Sequence, residues 1–134
     1  NIAELKHSVD IYINSYLNFY LIWNKGIAFG MLSFDQDYVY NLITLIIIII
    51  TIVVLILSFK NTGIRRYSLM FILGGSMGNL FDRLYYSAVP DFIDFHINNF
   101  HWFIFNVADI FISTGIFCLI ILEIFDKRGI DDEK

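Results

Sequence analysis

The stretch YVYNLITLIIIIITIVVLILSF, residues 38–59, decides the fold of this chain. It contains 22 residues without an Asp, Glu, Lys or Arg, and five consecutive isoleucines stand near its centre. A bilayer core of about 30 Å needs about 20 helical residues, whereas a β-strand rarely exceeds about 10 residues. The stretch therefore predicts a transmembrane helix rather than a buried strand.

Two further apolar stretches predict transmembrane helices, over residues 67–86 and 105–125. Both are less apolar than the first, because each contains acidic residues. The earlier of the two carries Gly74, Gly75 and Gly78, and small residues let helices pack closely in lipid. The expected fold class is mainly α, a polytopic membrane helix bundle with three spans.

The composition of the whole chain excludes several classes of protein. Of the 134 residues, 57% are hydrophobic and 16% are charged, against roughly 45–50% and 25% in soluble domains. The net charge of −4 provides no basic field for nucleic acid. The single cysteine, Cys118, permits neither an internal disulfide nor a cysteine metal cluster. We therefore exclude a disordered segment, a nucleic-acid module and most soluble enzymes, and we expect one domain over residues 1–134.

The basic residues of the short loops predict the orientation in the membrane. Lys60, Arg65 and Arg66 lie between the first two spans, and Lys127 and Arg128 follow the third. Since Lys and Arg mark the cytoplasmic side, both loops are expected there. The opposite, extracytoplasmic side then holds two segments, residues 1–37 and 87–104.

This orientation creates a problem of parity at the start of the chain. Three spans and a cytoplasmic C-terminus leave Asn1 outside, yet neither a signal peptide nor a preceding span is visible. We expect a fourth, N-terminal span in the whole protein. The alternative is a three-span protein with a translocated N-terminus.

The extracytoplasmic segments have strand-like patterns. Val9–Trp23 and Phe92–Phe105 are rich in β-branched and aromatic residues with loose alternation, and Asn14 and Asn18 interrupt the first. They predict a small β platform on the membrane surface. Its aromatic residues suit the interfacial belt of a membrane protein, and they are Tyr12, Tyr16, Phe19, Tyr20, Trp23, Phe100, Trp102 and Phe103. The charged tail, residues 126–134, is expected to be a frayed terminus.

Polar residues inside the predicted spans indicate a functional site. At 1.5 Å of rise per residue, Asp82 and Asp109 both fall roughly 6 Å below the outer membrane surface. Asn79 and Arg83 share a helical face with Asp82, and Asn106 is expected to share one with Asp109. Ionisable groups at such a depth are costly, so a functional site is the first hypothesis.

Two carboxylates that share a site hold one proton between them, because both cannot ionise at low cost. The charged member can activate water and the neutral one can protonate a leaving amine, which cuts an amide bond. Asp91, on the loop returning to the third span, could reach Asp109.

Two alternatives stay open. Asp82 and Arg83 could be an ion pair at a helix end, with Asp91 and Asp94 only solvating a loop. The chain could instead be a small transporter or proton-conducting protein that uses its intramembrane Asp and Arg residues.

Four segments resemble the signature blocks of lipoprotein signal peptidase, the type II signal peptidase of bacteria. They are NKGIAF at 24–29, GGSMGNLFDR at 74–83, VPDFIDF at 89–95 and FNVAD at 105–109. Their order, spacing and position relative to the spans match that family over about residues 17–125. Four blocks together make a specific resemblance.

The resemblance implies a four-span aspartic endopeptidase of the bacterial inner membrane, with a small extracytoplasmic sheet and its active site near the periplasmic face. It implies cleavage of prolipoproteins before their diacylglyceryl-modified cysteine, contact with membrane lipid, and inhibition by globomycin. Asp91 and Asp109 match the catalytic pair. Asn24, Asn79, Arg83 and Asn106 match the polar residues around the site that support it or bind substrate, and Asp82 matches an acid that supports the structure. The chain has no His-Glu-x-x-His run, so neither a metal nor another cofactor is expected.

The chain departs from the family's pattern in two places. Residues 1–134 hold no match to the first span of the family, which is expected to precede them in agreement with the parity argument. Pro90 stands where the family usually has an aliphatic residue or Thr. Because proline fixes φ and removes an N–H donor, we expect a small change in the shape of the chain before Asp91, without loss of function.

Overall fold

A computed structural model describes residues 10–25 and 37–132 of the chain. These residues form three long helices and a small antiparallel sheet. The elements in chain order are β1 Asp10–Tyr12, β2 Leu17–Asn24, α1 Asp37–Lys60, α2 Gly63–Tyr86, β3 Val89–Ile97, β4 Phe100–Phe105 and α3 Val107–Asp132. The mainly helical fold with a small sheet is as the sequence predicted.

α1 and α2 contain the first two predicted spans, whereas α3 begins at Val107, two residues after the start of the third. α1 extends one residue beyond the predicted span at each end, and α2 ends with its predicted span at Tyr86. The prediction of a frayed tail from residue 126 was wrong, because α3 continues to Asp132. At its start, Asp126 forms an ion pair with Arg65 of α2 at 2.5 Å, and Arg65 also lies 3.7 Å from Glu123, just before this part.

The distribution of polar and apolar side chains is that of a membrane protein. Twelve of the described buried residues are polar or charged and five are apolar, whereas large apolar side chains are exposed along all three helices. Water-soluble proteins bury chiefly apolar residues. Two of the described helices, Tyr38–Lys60 and Val107–Lys127, are long and apolar enough to cross a bilayer. α2 does not meet that criterion because it carries several polar residues, among them Ser68, Ser76 and Arg83.

The described residues divide into two compact units. The first contains the sheet, together with the chain up to Leu45 and Asn79–Asn106. Its strands lie in the order β1-β2-β3-β4, all antiparallel. The Asn14 side chain ends β1, since its Oδ1 accepts the backbone N–H groups of Tyr16 and Leu17. Asn18, in contrast, does not interrupt a strand: it lies within β2, opposite Tyr12 and Asp94.

A hairpin leads from α2 to α3, and it begins before Phe92, where the sequence predicted a strand-like segment after a loop that carries Asp91. β3 already begins at Val89, so Asp91 lies in a strand opposite Ile22 of β2. Pro90 is tolerated in this inner strand because β4 pairs with β3 only as far as Ile93. Beyond that point one edge of β3 has no strand partner among the described residues, so the missing N–H breaks no pairing with β4 there.

Several of the predicted interfacial aromatics are exposed on the sheet or in its β1–β2 connection, namely Tyr12, Tyr16, Tyr20, Phe100 and Phe103. Two others pack within the first unit. Phe19 meets Phe92 edge-on at 6.4 Å between ring centroids, and Trp23 meets Tyr86 at 5.4 Å. The side chain of Trp102 lies outside the described part of the structure.

The second unit contains Ile46–Gly78 and the chain from Val107 onward. Within it, α2 and α3 approach closely at two glycines. A Cβ on Gly75 would collide with the carbonyl oxygen of Ala108, and a Cβ on Gly115 would collide with that of Ser68. Gly74, which was expected to contribute, has no such neighbour within 4 Å. Gly78 makes only an ordinary contact with Ala108.

Candidate active site

The first unit holds a buried carboxylate surrounded by amides. Asp91 of β3 is only 2% exposed. Its Oδ2 accepts a hydrogen bond from Asn24 Nδ2 at 3.0 Å, and its Oδ1 accepts one from Asn106 Nδ2 at 2.9 Å. Asn24 ends β2 and Asn106 directly follows β4. The sheet therefore brings both amides to Asp91, although they are 82 positions apart in the sequence.

The amide of Asn106 is fully used as a donor. Its Nδ2 also donates to the Oδ1 of Asn79 at 2.9 Å, so each of its two N–H groups has an acceptor. A carboxylate is an acceptor only when ionised, and hydrogen bonds to that form favour it. The arrangement can therefore hold Asp91 in its ionised form away from water.

Arg83 forms a second cluster in the same unit, at the last turn of α2. It is 2% exposed. Its Nε donates to Thr44 Oγ1 at 2.8 Å, and its Nη2 donates to the carbonyl oxygen of Lys25 at 2.9 Å. The guanidinium carbon lies 4.4 Å from the centroid of the Tyr40 ring. Arg83 thus connects the start of α1 with the end of β2.

The other predicted carboxylates have different surroundings. Asp109 is buried in the first turn of α3, at 4% exposure, and belongs to the second unit. Asp94 does not solvate a loop, as the alternative interpretation held. It lies buried in β3, with its Oδ2 3.7 Å from His96 Nδ1. Asp82 is partly exposed and has no hydrogen-bond or ion-pair partner within residues 10–25 and 37–132.

Of the predicted site residues, the structure thus joins Asn24, Asn79, Asp91 and Asn106 in one network and places Arg83 in the adjoining cluster. Tyr40 and Thr44 were not predicted. A signal for Thr44 exists in the sequence, because Thr44, Thr51 and Ser58 repeat every seven residues within the apolar span and are all buried. Such spacing places three hydroxyls on one helical face.

The donor set does not suggest a metal centre. The described residues contain no group of three or more His, Cys, Asp or Glu side chains that could hold a metal ion. Asp91 is surrounded by amide donors, which stabilise an anion but do not coordinate a cation through their nitrogen atoms. A buried carboxylate of this kind is suited to acid–base chemistry.

The fold and the site together define a helical membrane protein with a buried polar cluster. A family profile described as signal peptidase II matches residues 1–125. The chain is 53% identical over 133 residues to the lipoprotein signal peptidase of Pelagibacter ubique (strain HTCC1062), covering 99% of this chain and 80% of that protein. It is 40% identical over 135 residues to that of Aquifex aeolicus (strain VF5), covering 97% and 79%.

A solved structure of a membrane enzyme has a similar fold. It is described as a bacterial membrane enzyme determined by the in meso method at 2.3 Å resolution. It matches with a TM-score of 0.71 and 26% identity, over 90% of this chain and 73% of that one. The chain belongs to the signal peptidase II family. It is therefore a membrane peptidase, and the transporter alternative is not supported.

Proposed function

We propose that this chain removes the signal peptide from bacterial prolipoproteins, by hydrolysing the peptide bond before their diacylglyceryl-modified cysteine. The observation that carries the proposal is the match of the signal peptidase II profile to residues 1–125, together with relatives named lipoprotein signal peptidases at 53% and 40% identity. The exposed apolar helix surfaces suit a substrate whose acyl chains remain in the bilayer.

We assign the chemistry to Asp91 and Asp109. Both side chains are buried although carboxylates rarely are. Chain connectivity supports the pairing, because Asn106 holds Asp91 and stands only three residues before Asp109. Asn24, Asn79 and Asn106 would support the pair, and Arg83 would support the site or bind substrate. A structural role for Asp82 rests on the resemblance alone.

The hydrogen bonds to Asp91 favour it as the ionised member of the pair. Asp91 would take a proton from water as the water oxygen attacks the scissile carbonyl carbon. Asp109, which carries the shared proton, would give it to the leaving nitrogen as the C–N bond breaks. The products are a carboxylate on the signal peptide and a free amine on the cysteine. The pH–rate profile should be bell-shaped, since activity requires one carboxyl of the pair to be ionised and the other to be protonated.

The proposed function also implies where the enzyme is located in the cell. It would be a multi-pass protein of the bacterial inner membrane, with α2 as a further span and the sheet at the periplasmic surface. With the N-terminal span predicted above, the whole protein would have four spans. Membrane lipid would surround the helices, and globomycin would inhibit cleavage.

The test is cleavage of a diacylglyceryl-modified prolipoprotein by the full-length protein in proteoliposomes. Asp91→Asn and Asp109→Asn should each lower kcat about 10³-fold or more, because each removes a proton-transfer group. Asp94→Asn, which changes another buried carboxylate of the same strand, should retain much of the activity. Circular dichroism checks that all three variants fold.

The outcomes separate the function from the assignment. A wild-type protein that does not cleave the modified substrate would overturn the function. Full activity in Asp91→Asn or Asp109→Asn would remove that residue from the pair. If Asp94→Asn loses as much activity as Asp91→Asn while remaining folded, the assignment of Asp91 over Asp94 is wrong.

A further inference from the structure

The cluster around Arg83 has hydrogen bonds whose directions are fixed. The hydroxyl of Thr44 donates to the carbonyl oxygen of Tyr40 at 2.9 Å. Its oxygen therefore presents a lone pair to Arg83 Nε, which can only donate. The Thr44 hydroxyl is thus hydrogen-bonded to both the backbone of α1 and the guanidinium group.

Tyr40 contacts Arg83 at both ends. Its ring lies beneath the guanidinium group, and its hydroxyl donates to the Arg83 carbonyl oxygen at 2.7 Å. α2 ends at Tyr86, so that carbonyl is among the last four of the helix, which lack an intrahelical partner. Tyr40 therefore fixes both the side chain of Arg83 and the end of the helix that carries it.

The cluster is connected to Asp91 through two consecutive residues of the chain. Arg83 holds the carbonyl oxygen of Lys25 at 2.9 Å. The preceding residue, Asn24, donates its side-chain amide to Asp91 Oδ2 at 3.0 Å. A shift of the Lys25 peptide would move the Asn24 backbone and so displace its amide from the carboxylate.

We propose that Tyr40 and Thr44 are positioning residues for the peptidase reaction. They hold Arg83, which fixes the end of β2 and keeps the Asn24 amide on Asp91. This inference rests on the proposed function, since it assigns Asp91 to catalysis. Tyr40 and Thr44 act on the chemical step and not on substrate binding, so their loss lowers kcat and leaves KM nearly unchanged.

The experiment measures prolipoprotein cleavage by the full-length protein in proteoliposomes. Thr44→Val, which keeps the shape but removes the acceptor, should lower kcat about tenfold with KM within twofold. Thr44→Ser should restore most of the rate. Tyr40→Phe, which keeps the ring and removes the hydroxyl, should show a smaller loss in kcat of about threefold.

Thr51→Val is the matched control. Thr51 is also buried on α1, and its hydroxyl also donates to the carbonyl four residues earlier, but its other partner is Ser76 and not Arg83. Its kcat should stay within twofold of wild type. A general effect of removing a buried hydroxyl would lower kcat equally in both variants and would overturn the proposal.

A double-mutant cycle tests the route to Asp91. Thr44→Val should cost less than twofold when Asn24→Ala is already present, because the amide that it positions is gone. Additive losses would contradict the proposed route, and so would an increase in KM without a change in kcat. An inactive wild-type protein refutes the proposed function instead, so the two failures are distinguishable.

Discussion

At the scale of single residues, two amide side chains donate hydrogen bonds to Asp91. Asn106 is the more consequential donor, because it joins Asp91 to Asn79 as well. We predict that Asn106→Ala lowers kcat about 10- to 100-fold, since a hydrogen bond to a buried charge contributes about 1.5–3 kcal/mol. The loss is measured by comparing kcat of the variant with that of the wild type in steady-state cleavage assays from acid to neutral pH.

The same variant should change the pH dependence. Hydrogen bonds to a carboxylate favour its ionised form, so removal of one favours the protonated form. The Asp91 carboxyl then takes up its proton at a higher pH than in the wild type. The acid limb of the pH–rate profile therefore shifts to higher pH. Asn61→Ala is the control, because the Asn61 amide donates only to the Leu57 carbonyl in the described structure. A profile of Asn106→Ala that overlays the wild type would refute this role of the amide.

The sequence could identify site residues that belong to a local motif. It could not identify contacts that only the folded chain brings together. Asn106 and Asp109 were found from their spacing and the resemblance, but the expected shared helical face was wrong. Asn106 precedes α3 and its side chain points toward Asn79 and Asp91. The contact of Arg83 with the Lys25 carbonyl was not predictable, because a backbone group carries no signal of its own in the sequence.

At the scale of elements, helices were easier to predict than strands for a physical reason. The ends of α1 follow from hydropathy alone, because a span of apolar residues is set by the thickness of the bilayer. β3 depends on pairing with β2 over residues 17–24, which are far away in sequence. Nothing local in Val89–Asp91 indicates that pairing, and Pro90 argues against it. Asp91 was therefore expected in a loop.

The packing of α2 against α3 provides a prediction at this scale. We expect Gly75→Ala to destabilise the fold by about 1–3 kcal/mol, because the added methyl group would press on the Ala108 carbonyl and overpack the interface. Gly74→Ala is the matched control on the same helix, since nothing lies within 4 Å of its added methyl group. It should be neutral or slightly stabilising because alanine favours helix.

Thermal unfolding in detergent micelles measures both glycine variants. The expected result is a lower Tm for Gly75→Ala and an unchanged or higher Tm for Gly74→Ala. Equal values for the two variants would mean that the close approach at Gly75 does not contribute to stability. A loss in Gly74→Ala alone would contradict the packing described for the second unit.

At the scale of the whole molecule, the arrangement of polar and apolar residues is inverted relative to a water-soluble protein. Among the described residues, Arg83 and Asp94 are almost fully buried, while many Ile and Phe side chains are exposed along the helices. The apolar stretches of the sequence predicted membrane helices, and the polar residues inside them indicated a functional site. The sequence could not show which polar groups share the interior, because that depends on how the sheet connects them.

The last prediction concerns how the molecule is oriented in the membrane. The basic residues near the α1–α2 connection, Lys60, Arg65 and Arg66, should keep it in the cytoplasm. The turn between β3 and β4 should then lie outside. The chain has one cysteine, Cys118, so Cys118→Ser gives a background for single cysteines. Thr62→Cys reports on the connection, and Asn99→Cys reports on the turn; both positions are exposed.

A membrane-impermeant maleimide should label Asn99→Cys in intact spheroplasts and Thr62→Cys only after permeabilisation. Each protein should retain prolipoprotein cleavage, which shows that the labelled molecules are folded. Labelling of Thr62→Cys in intact spheroplasts would show that the orientation is the reverse of the predicted one, with the sheet in the cytoplasm. Asp91 would then lie on the side opposite to a translocated lipoprotein precursor, so this measurement tests the membrane side of the proposed reaction without measuring its chemistry.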